Sequence, residues 1–360
     1  MAITATVSLS PAAELEVVAS LPVGPGGITV TPDKQIIVGL HPFFSPKKQV
    51  VRITPDGKMV PFPNEAWNRR SSQSDTCFDS VIGVQCDPNG IVWMLDSGMR
   101  SWSSPKLVAW DLGKNVLHRI IHLTPPVITL PTLMPDNAFL NDLAVDVTHQ
   151  AIYISRSGGP GDSGLIVVNL ETGTARQVLT GHPSVEPENV DIVMGNRILD
   201  FTLPDSGRLK LLIGVNPLVL DCEDKWLYFG AMNGKSLYRI RAADLLDTKV
   251  TEEELGRRVE RYADKPVCDG ISIDNAGNIY ISDIEVNAIG VIAPDKSYKR
   301  MLTDPRISWP ESFSFGPDGY LYFVAGQLHL SPPLNGGKNE SKKPFHVFRI
   351  RPLAPGIAGR

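Results

Sequence analysis

The stretch Cys268–Asp283, CDGISIDNAGNIYISD, decides how the rest of the chain is read. Ile271 and Ile273 alternate with polar residues before the turn Asn275-Ala276-Gly277-Asn278, and Ile279 and Ile281 alternate after it. Strand side chains point to opposite faces in turn, so alternation across a Gly-containing turn predicts a β-hairpin. The phrase recurs: a polar entry, an alternating run, a turn rich in Asp, Asn, Pro and Gly, then a β-branched and aromatic run. Copies start at Gly26, Ser80, Asn141, Asn216, Asp269 and Glu311.

A third strand follows each hairpin, as in Lys106-LVAWDL and Gly164-LIVVNL, and a fourth follows in the first five copies. The sixth copy runs out of chain after its third strand, and Leu15-EVVASLP at the other end supplies the missing one. A ring closed by an N-terminal strand in the C-terminal blade leaves no open sheet edge. The pattern therefore predicts an all-β chain, a six-bladed β-propeller of four-stranded blades. It forms a single domain over residues 15–352, flanked by an N-terminal extension (1–14) and a C-terminal tail (353–360). The longest interval between copies, Asn141 to Asn216, carries an insertion around Glu186–Leu212. Thr251-Glu252-Glu253-Glu254 has the form of a helix capping box with acidic residues in the first turn.

Composition narrows the partners. The net charge is -4 and no basic patch stands out, which disfavours nucleic acid. No apolar run is long enough for a membrane helix, and the N-terminus lacks the basic and apolar regions of a secretory signal. A cytoplasmic monomer or weak oligomer acting on a small molecule is expected. Cys77, Cys86, Cys222 and Cys268 are too sparse for a disulfide framework, and reduced thiols are expected.

The innermost strand of each propeller blade lines the central channel, so the copies' first residues meet at one mouth. Asn141, Asn216, Asp269 and Glu311 aim two carboxamides and two carboxylates at one axial point. An all-oxygen set with two charges suits a hard cation, Ca²⁺ ahead of Mg²⁺ or Mn²⁺. A water-filled mouth would also be polar without any ion. Asp142, next to Asn141, offers a further ligand, a general base or an Asx loop cap. His41 and His329 stand in loops at the same mouth in adjoining blades, where a histidine pair could serve acid–base chemistry near neutral pH. Asp269, Glu311, His41 and His329 are thus the candidate catalytic groups. Phe43, Phe44, Met99, Trp102 and Met232 are candidates for the apolar wall of the pocket. Trp93, Trp226 and Tyr280 are assigned to blade interiors. No nucleophile elbow, phosphate loop or HExxH motif is present.

The phrases GIVWMLDSG, KLVAWDL, FLNDLAVD, GLIVVNLETG, WLYFGAM and CDGISID resemble a bacterial member of the major royal jelly protein/yellow family, from about Leu15 to Pro352. The resemblance implies a six-bladed propeller with a small-molecule pocket at one mouth, and often secretion. Insect members are linked to dopachrome conversion and to binding of biogenic amines. A more distant similarity is to the senescence marker protein/gluconolactonase family, in which a Glu, two Asn and an Asp at blade entries hold a divalent cation. Asn141, Asn216 and Asp269 match three of these positions. Gly26 or Gly27 stands where the Glu belongs, and Glu311 offers a carboxylate one blade away.

These readings lead to a small-molecule enzyme at the channel mouth. It is either an isomerase, tautomerase or cyclisation catalyst on a quinone-like or enolisable substrate, or a cation-assisted lactone hydrolase. The alternative is a non-catalytic binder of a small aromatic or amine ligand.

Overall fold

Each hairpin phrase becomes the two inner strands of a four-stranded antiparallel sheet, and six such sheets stand around a common axis. A computed structural model describes residues 14–69, 76–100, 104–123, 139–202 and 207–360. The inner strands are Pro25–Val30, Val81–Cys86, Phe139–Asp146, Val215–Leu220, Cys268–Ile273 and Pro310–Phe315, one for each of blades one to six. Strand Glu16–Leu21 pairs antiparallel with Phe345–Ile350, Glu16 opposite Arg349 and Leu21 opposite Phe345, and completes the sixth blade. The expected six-bladed propeller and its N-terminal closure are both present.

The recurring turn has a structural purpose. Its Asp accepts a hydrogen bond from an aromatic side chain on the following strand: Trp93 Nε1 to Asp87 at 3.2 Å, Tyr153 to Asp146 at 3.0 Å and Tyr280 to Asp274 at 2.9 Å. A buried phenol or indole needs such a partner. Trp93 and Tyr280 accordingly lie in blade interiors, whereas Trp226 is half-buried with Arg239 and Arg241 over its ring. Between blades the packing is apolar; Tyr153, Leu165 and Val167 of blade three meet Leu218, Leu227 and Phe229 of blade four. Each such side chain contributes roughly 1.5–3 kcal/mol on burial. In the predicted capping box, Thr251 accepts from Glu254 N at the start of helix Glu252–Arg257.

All six inner strands break register at the same place. Pairing with the second strand lapses between Pro25 and Ile28, Val81 and Val84, Leu140 and Leu143, Val215 and Leu218, Cys268 and Ile271, and Pro310 and Phe313. Such bulges re-aim side chains at sheet rims. They also correct the alignment in blade two. Its residue in register with Asp269 is Ile82, two places beyond Ser80, because Val81 pairs with Asp96 as Cys268 pairs with Asp283. The second bulge residue lies against the next blade: a Cβ on Gly270 would fall 1.8 Å from the Glu311 carbonyl oxygen, and one on Gly27 2.2 Å from that of Ile82.

At the far mouth residues 353–360 cross the channel. Thr29 Oγ1 donates to Gly359 O, Phe315 N donates to Arg360 O, and the buried Arg360 guanidinium lies 2.7 Å from Asp224. Above this segment the channel narrows to a cavity of about 30 Å³, room for about one water.

Candidate active site beneath a cap

The bulges bring Asn141, Asn216, Asp269 and Glu311 together at the opposite mouth, on four consecutive blades. Asn141 Nδ2 donates to Asn216 Oδ1, and Asn216 Nδ2 donates to Asp269 Oδ1 at 2.7 Å. The other carboxylate oxygen, Asp269 Oδ2, accepts from Trp309 Nε1 at 2.6 Å. Glu311 is treated differently. Its Oε1 lies 3.8 Å from His41 Nε2, and its buried Oε2 has no hydrogen-bond partner. Asn216 is 2 %, Asp269 5 % and Glu311 6 % exposed, so this ring is shielded from bulk water.

Burial governs how these groups titrate. Asp269 is pushed up to about 6 by burial, against which the Trp309 and Asn216 bonds pull down. Glu311 is pushed well above the usual carboxylate range by burial and then by the charges of Asp269 and Asp142. Asp142 is pushed up to about 7 by burial, with Asp269 adding to it. Half-buried, Asp142 lines the channel below the ring, and its Oδ1 accepts from Leu143 N at 2.9 Å.

The two histidines are not the neutral-pH pair expected. Burial pushes His41 down to about 3, and burial with the Arg197 charge pushes His329 down to about 4. Both are therefore neutral at physiological pH. His41 Nδ1 accepts from Phe43 N at 3.2 Å, which leaves its proton on Nε2, facing Glu311. His329 stacks on Trp309 with ring centroids 6.0 Å apart.

The roof over the ring comes from the insertion, whose reach from the sequence alone was not apparent. It folds into two hairpins, Val193–Met194 with Arg197–Ile198 and Asp200–Thr202 with Arg208–Lys210. Ile192, Leu199 and Leu211 of this cap pack with Met232, Val267, Ile284, Trp309, Leu328 and Leu334. Asn233 holds both legs of the cap, donating to Val190 O and Leu211 O and accepting from Ile213 N, all at 2.8 Å. Met232 sits over Asn216, Nδ2 to Sδ 3.7 Å. Phe43 meets His41 edge-on at 4.5 Å and the cap's Phe201 at 6.3 Å, while Phe44 packs into the wall against Phe345. Trp102 lies outside the described residues.

Trp309 is the residue of this candidate site that the sequence did not announce. It precedes Pro310 and adopts a left-handed φ of 58°, a conformation disfavoured for a bulky residue before proline. Strain of this kind concentrates at functional sites. Its one signal in the sequence is adjacency to the entry residue, in Trp309-Pro310-Glu311.

For a hard cation, the oxygens of Asn141, Asn216, Asp269 and Glu311 are chemically suitable, and the unpartnered Glu311 Oε2 is the kind of atom an ion would satisfy. No three His, Cys, Asp or Glu side chains gather into a metal cluster among the described residues. None of the four cysteines forms a disulfide among the described residues. No helix among the described residues is long and apolar enough to cross a membrane.

The family model of the major royal jelly proteins matches residues 79–305, from the entry of blade two to the end of blade five. The chain belongs to the major royal jelly protein family. This royal jelly family propeller has no match among curated proteins. Among solved structures it is similar to a luciferin-regenerating enzyme, with 13% identity, a TM-score of 0.58, and coverage of 96% of this chain and 98% of that one. It is also similar to a gluconolactonase from Xanthomonas campestris (11% identity, TM-score 0.56, 94% and 90% covered). A third is virginiamycin B lyase from Staphylococcus aureus (13% identity, TM-score 0.51, 95% and 100% covered). At these identities the likeness establishes the fold alone.

Proposed function

We propose that this royal jelly family protein is an enzyme that moves a proton on a small quinone-like or enolisable molecule held between the ring and the cap. The observation that carries this reading is the unequal hydrogen bonding of the two carboxyls. Asp269 takes an N–H donor on each oxygen, as a carboxylate does, whereas Glu311 Oε2 has none. Two titratable groups in opposed environments make an acid–base pair. Asp269 is the base and Glu311 the acid, His41 supports Glu311 as a neutral neighbour, and the apolar roof excludes water. Trp309 and Met232 bound the space directly above.

The test is turnover of a panel of enolisable ketones and ortho-quinones by wild type, Asp269→Asn and Glu311→Gln. Loss in both variants supports the pair, and unchanged turnover in either rejects it. Stoichiometric binding of a panel member recovered unchanged would favour the alternative, a binder of aromatic or amine ligands.

A second reading, cation-assisted lactone hydrolysis, is favoured by the all-oxygen donor set and by the likeness to a protein described as a gluconolactonase. Asn141, Asn216, Asp269 and Glu311 would hold the ion, and Ca²⁺ there would polarise a lactone carbonyl. Lactone turnover by metal-free protein would remove that reading.

A further inference from the structure

The ring is buried, yet any ligand must reach it. The cap is tied down on several sides: Asn233 of blade four holds its legs, and Val193 N donates to Glu285 Oε1 of blade five at 2.8 Å. On the blade-six side Gly336 N donates to Thr202 Oγ1 of the cap at 3.0 Å, and the other polar ties come from one side chain. Arg197 Nη1 donates to Leu334 O at 3.1 Å and to Asn335 Oδ1 at 2.8 Å, and its Nη2 donates to His329 O at 2.5 Å. Three acceptors on one loop are thus gripped by one guanidinium, whose planar fork suits such multiple bonding.

Cavities lie on either side of this guanidinium. One of about 280 Å³ is lined by Asp200, Arg208 and Lys338, the other of about 450 Å³ by Glu285, Asn287 and His329, and Arg197, Asn335 and Glu340 border both. Arg197, with Asn335 and Glu340, therefore stands in the partition between them. Beneath it the path inward is short: His329, whose Nδ1 has no partner, stacks on Trp309, and Trp309 is bonded to Asp269. The loop and the cap turn also carry left-handed glycines with open space around them, Gly336 and Gly337 on one side and Gly195 on the other. Their backbones can change course at little cost.

We propose that the seam between the cap and the blade-six loop is the entrance to the ring, and that Arg197 is its latch. Release of the three oxygens joins the two cavities into one vestibule with His329 at its floor. Its mixed lining, which combines Arg208 and Lys338 with Asp200, Glu285 and Glu340, fits a small polar molecule. The entrance serves the site proposed above but is tested without any substrate.

The probe is water, read at the Trp309 indole N–H, which is 1 % exposed behind the roof. Its hydrogen–deuterium exchange is followed by NMR of ¹⁵N-labelled protein, with assignment by Trp309→Phe. Arg197→Ala is expected to speed the exchange about tenfold or more, and Arg197→Lys or Asn335→Ala by less, with blade-five strand amides unchanged. Those amides separate opening of the seam from unfolding. Unchanged Trp309 exchange in all three variants overturns the proposal. So does acceleration only in Phe201→Ala, whose ring meets Phe43 of the blade-one loop, which would place the entrance beside blade one. Neither result depends on what the ring catalyses.

Discussion

Trp309 and Asp269 are joined across the boundary between blades six and five by an indole N–H bond of 2.6 Å to Oδ2. In the proposed acid–base pair, the bond marks Asp269 as the anion of the ring. Trp309 stands two residues before Glu311, so one short segment brings a donor to Asp269 and an acid without a donor into the same space.

Removing that donor while keeping an aromatic ring isolates its effect. Trp309→Phe is expected to lose roughly 1–3 kcal/mol of stability, as for a hydrogen bond to a charged group. Turnover on any active panel member should lose its acidic limb at a higher pH than in wild type, where Asp269 titrates at about 6. Denaturant unfolding and a pH–rate profile check both.

The buried acids and histidines set opposite limits on stability. The folded-state values of Asp269 (about 6) and Asp142 (about 7) lie above the ordinary 3.8. Their contribution is full below that value and is lost as pH rises through 6 and 7. His41 (about 3) and His329 (about 4) lie below the ordinary 6.5, so their contribution is full above it and lost as pH falls. Thermal stability should be greatest in mildly acidic solution and should fall towards pH 8. Asp142→Asn should flatten the alkaline fall, measured as Tm against pH.

The bulge geometry makes a sharp demand at one glycine. A Cβ on Gly270 would meet the Glu311 carbonyl at 1.8 Å, backbone that cannot step aside cheaply. Gly270→Ala should cost on the order of 3 kcal/mol or more in denaturant unfolding. Gly57→Ala makes a clash-free comparison, with open space around it and only its left-handed φ of 79° to strain it.

Asn233 should decide whether the cap stays closed. Asn233→Ala removes three hydrogen bonds to the two legs of the cap. Faster amide exchange is expected over residues 190–202 and 207–213, while blade strands keep their protection. Uniform loss of protection would mean that Asn233 supports the whole blade instead.

How much of this was legible in the sequence follows from what each feature depends on. The hairpins rest on local alternation, and Ile271, Ile273, Ile279 and Ile281 announce it directly. Asn141, Asn216, Asp269 and Glu311 could be aligned because each opens a copy at the same bulge. Blade two misled by two residues because Ser80 is polar and Ile82 is not, and the register that favours Ile82 comes from pairing. The neutral state of His41 and His329 depends on burial under a cap whose apolar residues, Ile192, Leu199 and Leu211, show no strand period. Trp309 acts through a left-handed backbone before Pro310, for which the letters give no sign.

The acid–base assignment is tested most directly by turnover of the enolisable and quinone panel with Glu311→Gln beside wild type, in metal-free buffer. The account predicts turnover by wild type and its loss in the variant, with the fold intact by circular dichroism. Equal turnover by the two proteins, or wild-type turnover that begins only when calcium is added, would contradict it.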